Sequence, residues 1–327
     1  FSMKNSFFAG LLSLTIMISC QPDKQLTNYV NPLLGTATLW ETKDLGYERH
    51  LKTRTWGAEV FPGSSVPNAM VQLSPVTQFR SGAGYQYEDT VIYGFSHTNK
   101  GHWNLLHLPV LPVTGNISSG DYASTYSHSN ESARPGYYQV FLERYGVNAE
   151  LTSTLRCAYH KYTFRPDDDK KVLVDITRTN NGVRDWSIQK VDDYTFSGNQ
   201  DAEGNIRFYA VSNYKIEDIR QLKDGEHEVS VVSFADSKGS KPLELKIGFS
   251  FVSIDNAKMN LEQEMKDKSF AQVRKEADKT WENLLSKIEV TGGTEREKGI
   301  FYSCLYRSFL WPALRSDVNG EYTDAKG

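Results

Sequence analysis

Residues 57–104 constrain this chain more than any other stretch. Prolines stand at 62, 67 and 75 and glycines at 63, 82 and 84, set among short apolar runs. Proline removes a ladder donor and glycine supplies backbone shapes closed to other residues, so the backbone around these short apolar runs is forced to be irregular. Such backbone on short strands holds side chains out on rigid loops. Those side chains are Tyr85, Tyr87, Tyr93, Phe95 and Trp103, interleaved with His97, Asn99, His102 and Asn104. Rings pack on the C–H faces of a sugar, while amides and imidazoles bond its hydroxyls, so the residue types suit a saccharide.

From residue 29 to about 254 the pattern reads as strand. Residues 151–164 alternate apolar with polar, 137–145 are rich in aromatics and valine, and 171–177 read KVLVDIT. Further strand-like runs lie at 206–211, 227–234 and 243–254, separated by turn signals such as Arg134-Pro135-Gly136, Asn181-Gly182 and Lys223-Asp224-Gly225. So many short strands predict a large antiparallel β-sandwich. The period then changes. Phe270, Val273, Ala277, Trp281, Leu284 and Ile288 are spaced as one helical stripe, opened by the capping box Ser269/Gln272. A second capping box, Thr294/Glu297, opens another helix with Ile300, Phe301, Cys304, Leu305, Ser308 and Trp311 near one face, stopped at Pro312. Its rings exceed what one partner helix would cover.

The 327 residues are 39% hydrophobic and 12% aromatic, enough for a substantial core. The 37 basic and 40 acidic residues are well mixed with a formal net charge of −3, and no basic stripe appears, which excludes a nucleic-acid partner. Residues 1–20 read as a leader: Lys4, an apolar run over 7–18, then Met17-Ile18-Ser19-Cys20, which resembles a bacterial lipobox with Cys20 as the lipidated residue. Residues 21–28 are then a tether, and membrane contact runs through that lipid only, at the cell envelope, facing either the periplasm or the exterior. Cys157 and Cys304 have no CxxC or Cys/His neighbour and are expected as two buried thiols. Asp167-Asp168-Asp169 lacks the spaced donors of a calcium loop and reads as a solvated turn.

Five segments taken together resemble glycoside hydrolase family 92, the calcium-dependent exo-α-mannosidases. They are Tyr29-Val30-Asn31-Pro32-Leu33-Leu34-Gly35-Thr36; Phe61-Pro62-Gly63 through Met70-Val71-Gln72-Leu73-Ser74-Pro75; Gly84-Tyr85-Gln86-Tyr87; Ile92-Tyr93-Gly94-Phe95-Ser96-His97-Thr98; and Phe301-Tyr302 to Leu305-Tyr306 followed by Ser316-Asp317-Val318-Asn319-Gly320. The resemblance implies a mainly β fold, a mutarotase-like supersandwich over 29–254, a linker with a helix over 255–293, and over 294–327 the start of an (α/α)6 catalytic toroid that continues beyond Gly327. It implies an inverting hydrolysis of terminal α-linked mannose from oligosaccharides. A Glu would act as acid, an Asp as base, and a Ca2+ ion would grip two hydroxyls of the sugar. All these groups would lie past Gly327, so no catalytic or metal residue is expected here and the chain alone is expected to be inactive.

By position in the family's motifs, the residues implied to line the substrate are Glu59, Phe79, Arg80, Tyr85, His97, Lys100, His102 and Trp103. Where many members read Gly-His-Thr-Phe-Pro-Gly, this chain has Gly57-Ala58-Glu59-Val60-Phe61-Pro62-Gly63, and after Ser96-His97-Thr98 it has Asn99-Lys100-Gly101-His102-Trp103-Asn104. The loops differ while the scaffold residues stay, which bears on linkage specificity. Two other readings stand beside this one. The first is a lipid-anchored, non-catalytic carbohydrate-binding sandwich. The second is a sugar epimerase, for which no spacing singles out an acid–base pair.

Overall fold

The computed structural model describes residues 25–38, 57–100, 103–117, 122–224 and 227–324. Cys20 and the leader lie outside them, as does His102. Two antiparallel sheets face each other. One has seven strands, in spatial order Ser64–Ser65, Gln72–Val76, Gly94–Ser96, Val110–Val113, Lys171–Val174, His227–Phe234 and Ile216–Asp224. The other has eight, in the order Asp185–Lys190, Thr195–Asp201, Ile206–Ser212, Leu243–Ser250, Cys157–Thr163, Val147–Ser153, Tyr137–Leu142 and Glu131–Arg134. Alternation puts Ile206, Phe208 and Ala210, Leu243, Leu245, Ile247 and Phe249, and Val147, Ala149 and Leu151 on the inner face. There they meet Leu73, Phe95, Val110, Leu173 and Val231 of the facing sheet in one continuous core.

The alternating run at 151–164 is two strands of a hairpin, because Thr154 N closes a turn on the Cys157 carbonyl. Asp185–Lys190, Thr195–Asp201 and Ile216–Asp224 were not legible as strands. Asp185–Lys190 is an edge strand without a fully buried residue, so its sequence carries no clean period.

Three helices follow the sheets: α1 (Ile254–Met265), α2 (Phe270–Leu285) and α3 (Glu295–Ser308). Helix α1 escapes sequence reading because two of its five buried residues are asparagines, Asn256 and Asn260, which break the apolar stripe. It lies on the outer face of the eight-stranded sheet over Gly248, where a Cβ would stand 2.2 Å from the Ala257 carbonyl oxygen. Gly248→Ala should therefore lift the helix off the sheet and lower stability by about 3 kcal/mol, read as a shift in the urea midpoint. An unchanged midpoint would mean that the contact is dispensable.

Both expected capping boxes form, at Ser269/Gln272 and Thr294/Glu297. Along α2, Phe270, Val273, Ala277 and Trp281 are buried as the stripe requires, but the helix ends at Leu285 and Ile288 is 46% exposed. The α3 face departs from expectation. Tyr302, Ser303 and Tyr306 are buried, while Phe301 and Trp311 are exposed and Cys304 is a surface thiol; only Cys157 is buried. The reason is the partner. Tyr302 stacks on Tyr29 at 5.6 Å and Tyr306 packs on Trp281 at 4.3 Å, so the face is set by the N-terminal segment and α2 together. That segment is clasped at several points. Glu282 accepts from the Leu26 and Thr27 amides at 3.0 and 2.9 Å, Ser303 Oγ accepts from Asn31 N at 2.9 Å, and the Arg307 guanidinium donates to the Pro32 carbonyl at 2.9 Å.

The Ser316-Asp317-Val318-Asn319-Gly320 segment closes back on the sheet. Asp317 is 1% exposed and its carboxylate accepts from Ser250 Oγ at 2.7 Å, Asn256 Nδ2 at 2.8 Å and Asn260 Nδ2 at 2.7 Å. The two asparagines that hide α1 from the sequence are the ones that hold this carboxylate.

Candidate substrate-facing surface

One end of the sandwich gathers several loops around Asn180. Its Oδ1 accepts from Arg80 N at 2.7 Å, its Nδ2 donates to the Ser81 carbonyl at 2.9 Å, and its own amide donates to the Leu105 carbonyl at 3.3 Å. Beside it, Gln200 bridges Leu108 N and the Ile176 carbonyl at 2.9 and 2.7 Å, and Asn181 donates to Glu203. The loops at 78–82, 105–108, 176–182 and 202–205 are thereby fixed to one another.

Phe79 and Arg80 sit on this surface, with Glu59 packed beside Gly82, where an added Cβ would lie 3.1 Å from the Glu59 carboxyl carbon. Glu59 and Arg80 both adopt left-handed backbone, φ +49° and +56°, a conformation that costs a side-chain-bearing residue about 1 kcal/mol and that collects at functional loops. The ring of Phe79 meets Tyr93 edge-on at 5.5 Å and lies 4.6 Å from the Arg178 guanidinium carbon. Arg178 Nε in turn donates to the buried carboxylate of Asp175 at 2.7 Å, and Tyr122 hydrogen-bonds both Asp175 and Arg178. Burial raises the Asp175 carboxyl above its ordinary value, against the pull of Arg178. Sequence reasoning missed Asp175, Arg178 and Asn180. The signal was an Asp and an Arg three apart directly after the apolar strand Lys171–Val174, just ahead of Asn180-Asn181-Gly182.

A cleft of about 920 Å³ opens next to Leu105, walled by Glu203, Asn205, Arg207, Arg315, Tyr322 and Asp324. Arg315 lies over the Phe251 ring at 4.2 Å, and Tyr322 is 68% exposed. Fork-shaped donors, carboxylate acceptors and an open ring are groups that bond sugar hydroxyls and pack on sugar faces.

The remaining candidates separate into two groups. Tyr85 is buried in the sandwich core and its hydroxyl donates to the Glu131 carboxylate at 3.0 Å; burial first, then that carboxylate, pushes the phenol far above its ordinary range. Of the neighbouring pair, Tyr87 is the one at the surface, stacked on His128 at 3.9 Å. His97 is fully buried, with Nε2 2.9 Å from His160 Nε2 and its ring 4.7 Å from Phe249. Neither Tyr85 nor His97 has a face open to solvent in this chain. Lys100 and Trp103 pair in a short hairpin, Asn99–Lys100 against Trp103–Asn104, just ahead of Leu105; their side chains lie outside the described residues. Among the described residues, no three His, Cys, Asp or Glu side chains converge as a metal-holding group.

This architecture, a two-sheet supersandwich with helices continuing from it, is shared with known glycosidases. The glycosyl hydrolase family 92 N-terminal domain matches residues 29–250, and the family's catalytic domain matches residues 256–327. The chain belongs to glycosyl hydrolase family 92. Among solved structures it is similar to a family GH92 α-mannosidase from Bacteroides thetaiotaomicron, with 28% identity and a TM-score of 0.79 over 91% of this chain and 43% of that one. An inverting mannosidase of the same family and organism shares the fold, at 24% identity and a TM-score of 0.77 over 92% of this chain and 42% of that one. A curated relative, an uncharacterized secreted glycosidase of Arthroderma benhamiae, is 24% identical over 96% of this chain and 45% of its own length. The chain therefore spans less than half the length of the relatives it matches.

Proposed function

We propose that this chain is the N-terminal part of an exo-acting α-mannosidase that removes terminal α-linked mannose from glycans with inversion. The observation that carries the reading is the match of both family domains in order, over 29–250 and 256–327, joined to a likeness above 25% identity with a protein described as an α-mannosidase. In this reading the sandwich shapes the substrate, with Phe79, Arg80 and Glu59 on one loop surface and the Arg315 cleft beside it. The acid, the base and the calcium ion act from the segment after Gly327, and α3 is the first helix of the toroid. Inversion needs two carboxylates far enough apart to admit a water, and calcium, when bound, supplies an electrophilic grip on vicinal hydroxyls. The exposed Phe301 and Trp311 on and just after α3 suit packing against further helices. In this reading a leader with lipidation at Cys20 would anchor the protein at the bacterial envelope, and the secreted relative supports export.

The test compares this chain with the longer protein for mannose release from α-linked mannobioses, with and without EDTA. Release by the longer protein only, abolished by EDTA and restored by Ca2+, is the expected result. Glycan binding without turnover by either would replace it with the binding-module reading.

A further inference from the structure

On the outer face of the eight-stranded sheet, away from the loops described above, a cleft of about 540 Å³ separates the strand end at Arg134 from the start of α2. The Arg274 guanidinium carbon lies over the Tyr137 ring, 3.6 Å from its centroid, and Phe270 meets that ring edge-on at 6.4 Å. Arg134 donates to Asn28 Oδ1 at 3.1 Å, and Lys275 lines the same cleft. Three acids line it too. Glu150 is taken up by Lys161 at 2.8 Å and the Tyr137 hydroxyl at 3.0 Å, and Glu244 accepts from the Tyr159 hydroxyl at 2.7 Å. Asp278 is the third. Against these three acids the lining sets four bases, Arg134, Lys161, Arg274 and Lys275, a surplus of one positive charge in a chain whose formal net charge is −3. A guanidinium held over a ring keeps its own in-plane N–H groups free for two oxygens of a phosphate.

The wall of this cleft also includes Gln25 and Asn28, the residues where the N-terminal tether joins the folded body. From Cys20 to Gln25 is five residues, a reach of at most about 18 Å however the chain runs. We infer that the Arg134–Arg274–Lys275 cleft receives the phosphodiester headgroups of anionic lipids, so that the anchored protein meets its membrane with this face and not through the lipid chains alone. The inference rests on the proposed lipidation of Cys20 for its geometry. Each Lys or Arg held at an anionic surface contributes about 1 kcal/mol, an effect that fades within a Debye length of about 10 Å.

The experiment uses the full-length polypeptide beginning at Gln21, which carries no lipid, and vesicles of phosphatidylcholine with or without 30% phosphatidylglycerol as a typical anionic fraction. Co-flotation with the anionic vesicles and not the neutral ones is expected. Arg134→Gln and Arg274→Gln should each weaken it about five-fold, with melting temperatures unchanged, while Lys238→Gln on a distant turn has no effect. Equal binding by the wild type and the double variant, or equal binding to both vesicle types, overturns the assignment. Capture of inorganic phosphate without flotation overturns it in favour of a free anion. Separately, mass analysis of the envelope-bound protein and of Cys20→Ala reads lipidation. Absence of a lipid mass on the wild-type protein, with flotation of the Gln21 polypeptide retained, sinks the lipoprotein reading alone and leaves the cleft's affinity for anionic headgroups standing.

Discussion

Replacing Asp317 with alanine is expected to lower stability by about 3 kcal/mol or more and to release α1 from the sheet. The carboxylate is buried and accepts from Ser250, Asn256 and Asn260; its removal strips an acceptor from each, although Asn256 keeps Glu321 and Asn260 keeps the Phe249 carbonyl. A buried donor without a partner costs about 1–3 kcal/mol, and here the donors belong to one network, so the losses are felt together. The segment around it has further ties: Val318 N donates to Asn260 Oδ1 at 2.9 Å, and Arg156 Nε donates to the Ser316 carbonyl at 2.8 Å. Asp317→Asn should cost less than alanine, since one acceptor survives while the new amide meets an existing donor. Urea unfolding gives the energies, and hydrogen exchange across Ile254–Met265 shows whether the helix detaches. A loss under about 1 kcal/mol for the alanine variant, small beside the network's expected worth, would show that the carboxylate is not what holds the segment.

Acid should unfold this protein earlier than its carboxylates require. Three imidazoles, His97, His107 and His160, are fully buried in the sandwich. Burial lowers His97 to about 3, offset only in part by backbone bonds at His107 and Leu108. It lowers His107 likewise to about 3, helped by the charge of Arg315, and it lowers His160 well below its ordinary value, helped by His97. A base whose folded pKa is depressed costs nothing above the unfolded value near 6.5. Below it the unfolded chain takes up a proton that the native state refuses, so stability falls as pH drops from about 6.5 towards 3. Each such group contributes a slope of about 1.4 kcal/mol per pH unit, so the three together set a slope of roughly 4. The upper part of that window, between about 6.5 and 5.5, lies above the range in which ordinary carboxylates titrate, which isolates the histidine contribution there. Urea midpoints at pH 7.5, 6.5, 5.5 and 4.5 should fall steeply below 6.5, and a flat profile down to 4.5 would refute the buried neutral imidazoles.

The class of fold was legible because strands such as Leu243–Ser250 alternate cleanly between the core and α1, and because two capping boxes mark where helices begin. What was hidden has physical reasons. Helix α1 buries asparagines for a tertiary purpose, so its stripe is not apolar. The buried side of α3 was misplaced because its partners, Tyr29 and Trp281, are distant in sequence. The site residues were read from loop motifs, which specify that a loop exists but not which way each side chain faces. Glu59, Phe79 and Arg80 reach one surface. Tyr85 and His97 turn inward, where Glu131 and His160 wait as partners that no local pattern announces.

The clasp of the N-terminal segment sets an order of events in biogenesis. Leu26 N and Glu282 lie 256 residues apart, yet they are hydrogen-bonded. At synthesis rates of about 5–20 residues per second, the first folded turn waits on the order of 10–50 seconds before its partner helix exists. Residues 26–32 therefore emerge long before Glu282, Ser303 and Arg307, the residues that clasp them. Through that interval they stay accessible, and the strap fastens only after nearly all of this chain has been made.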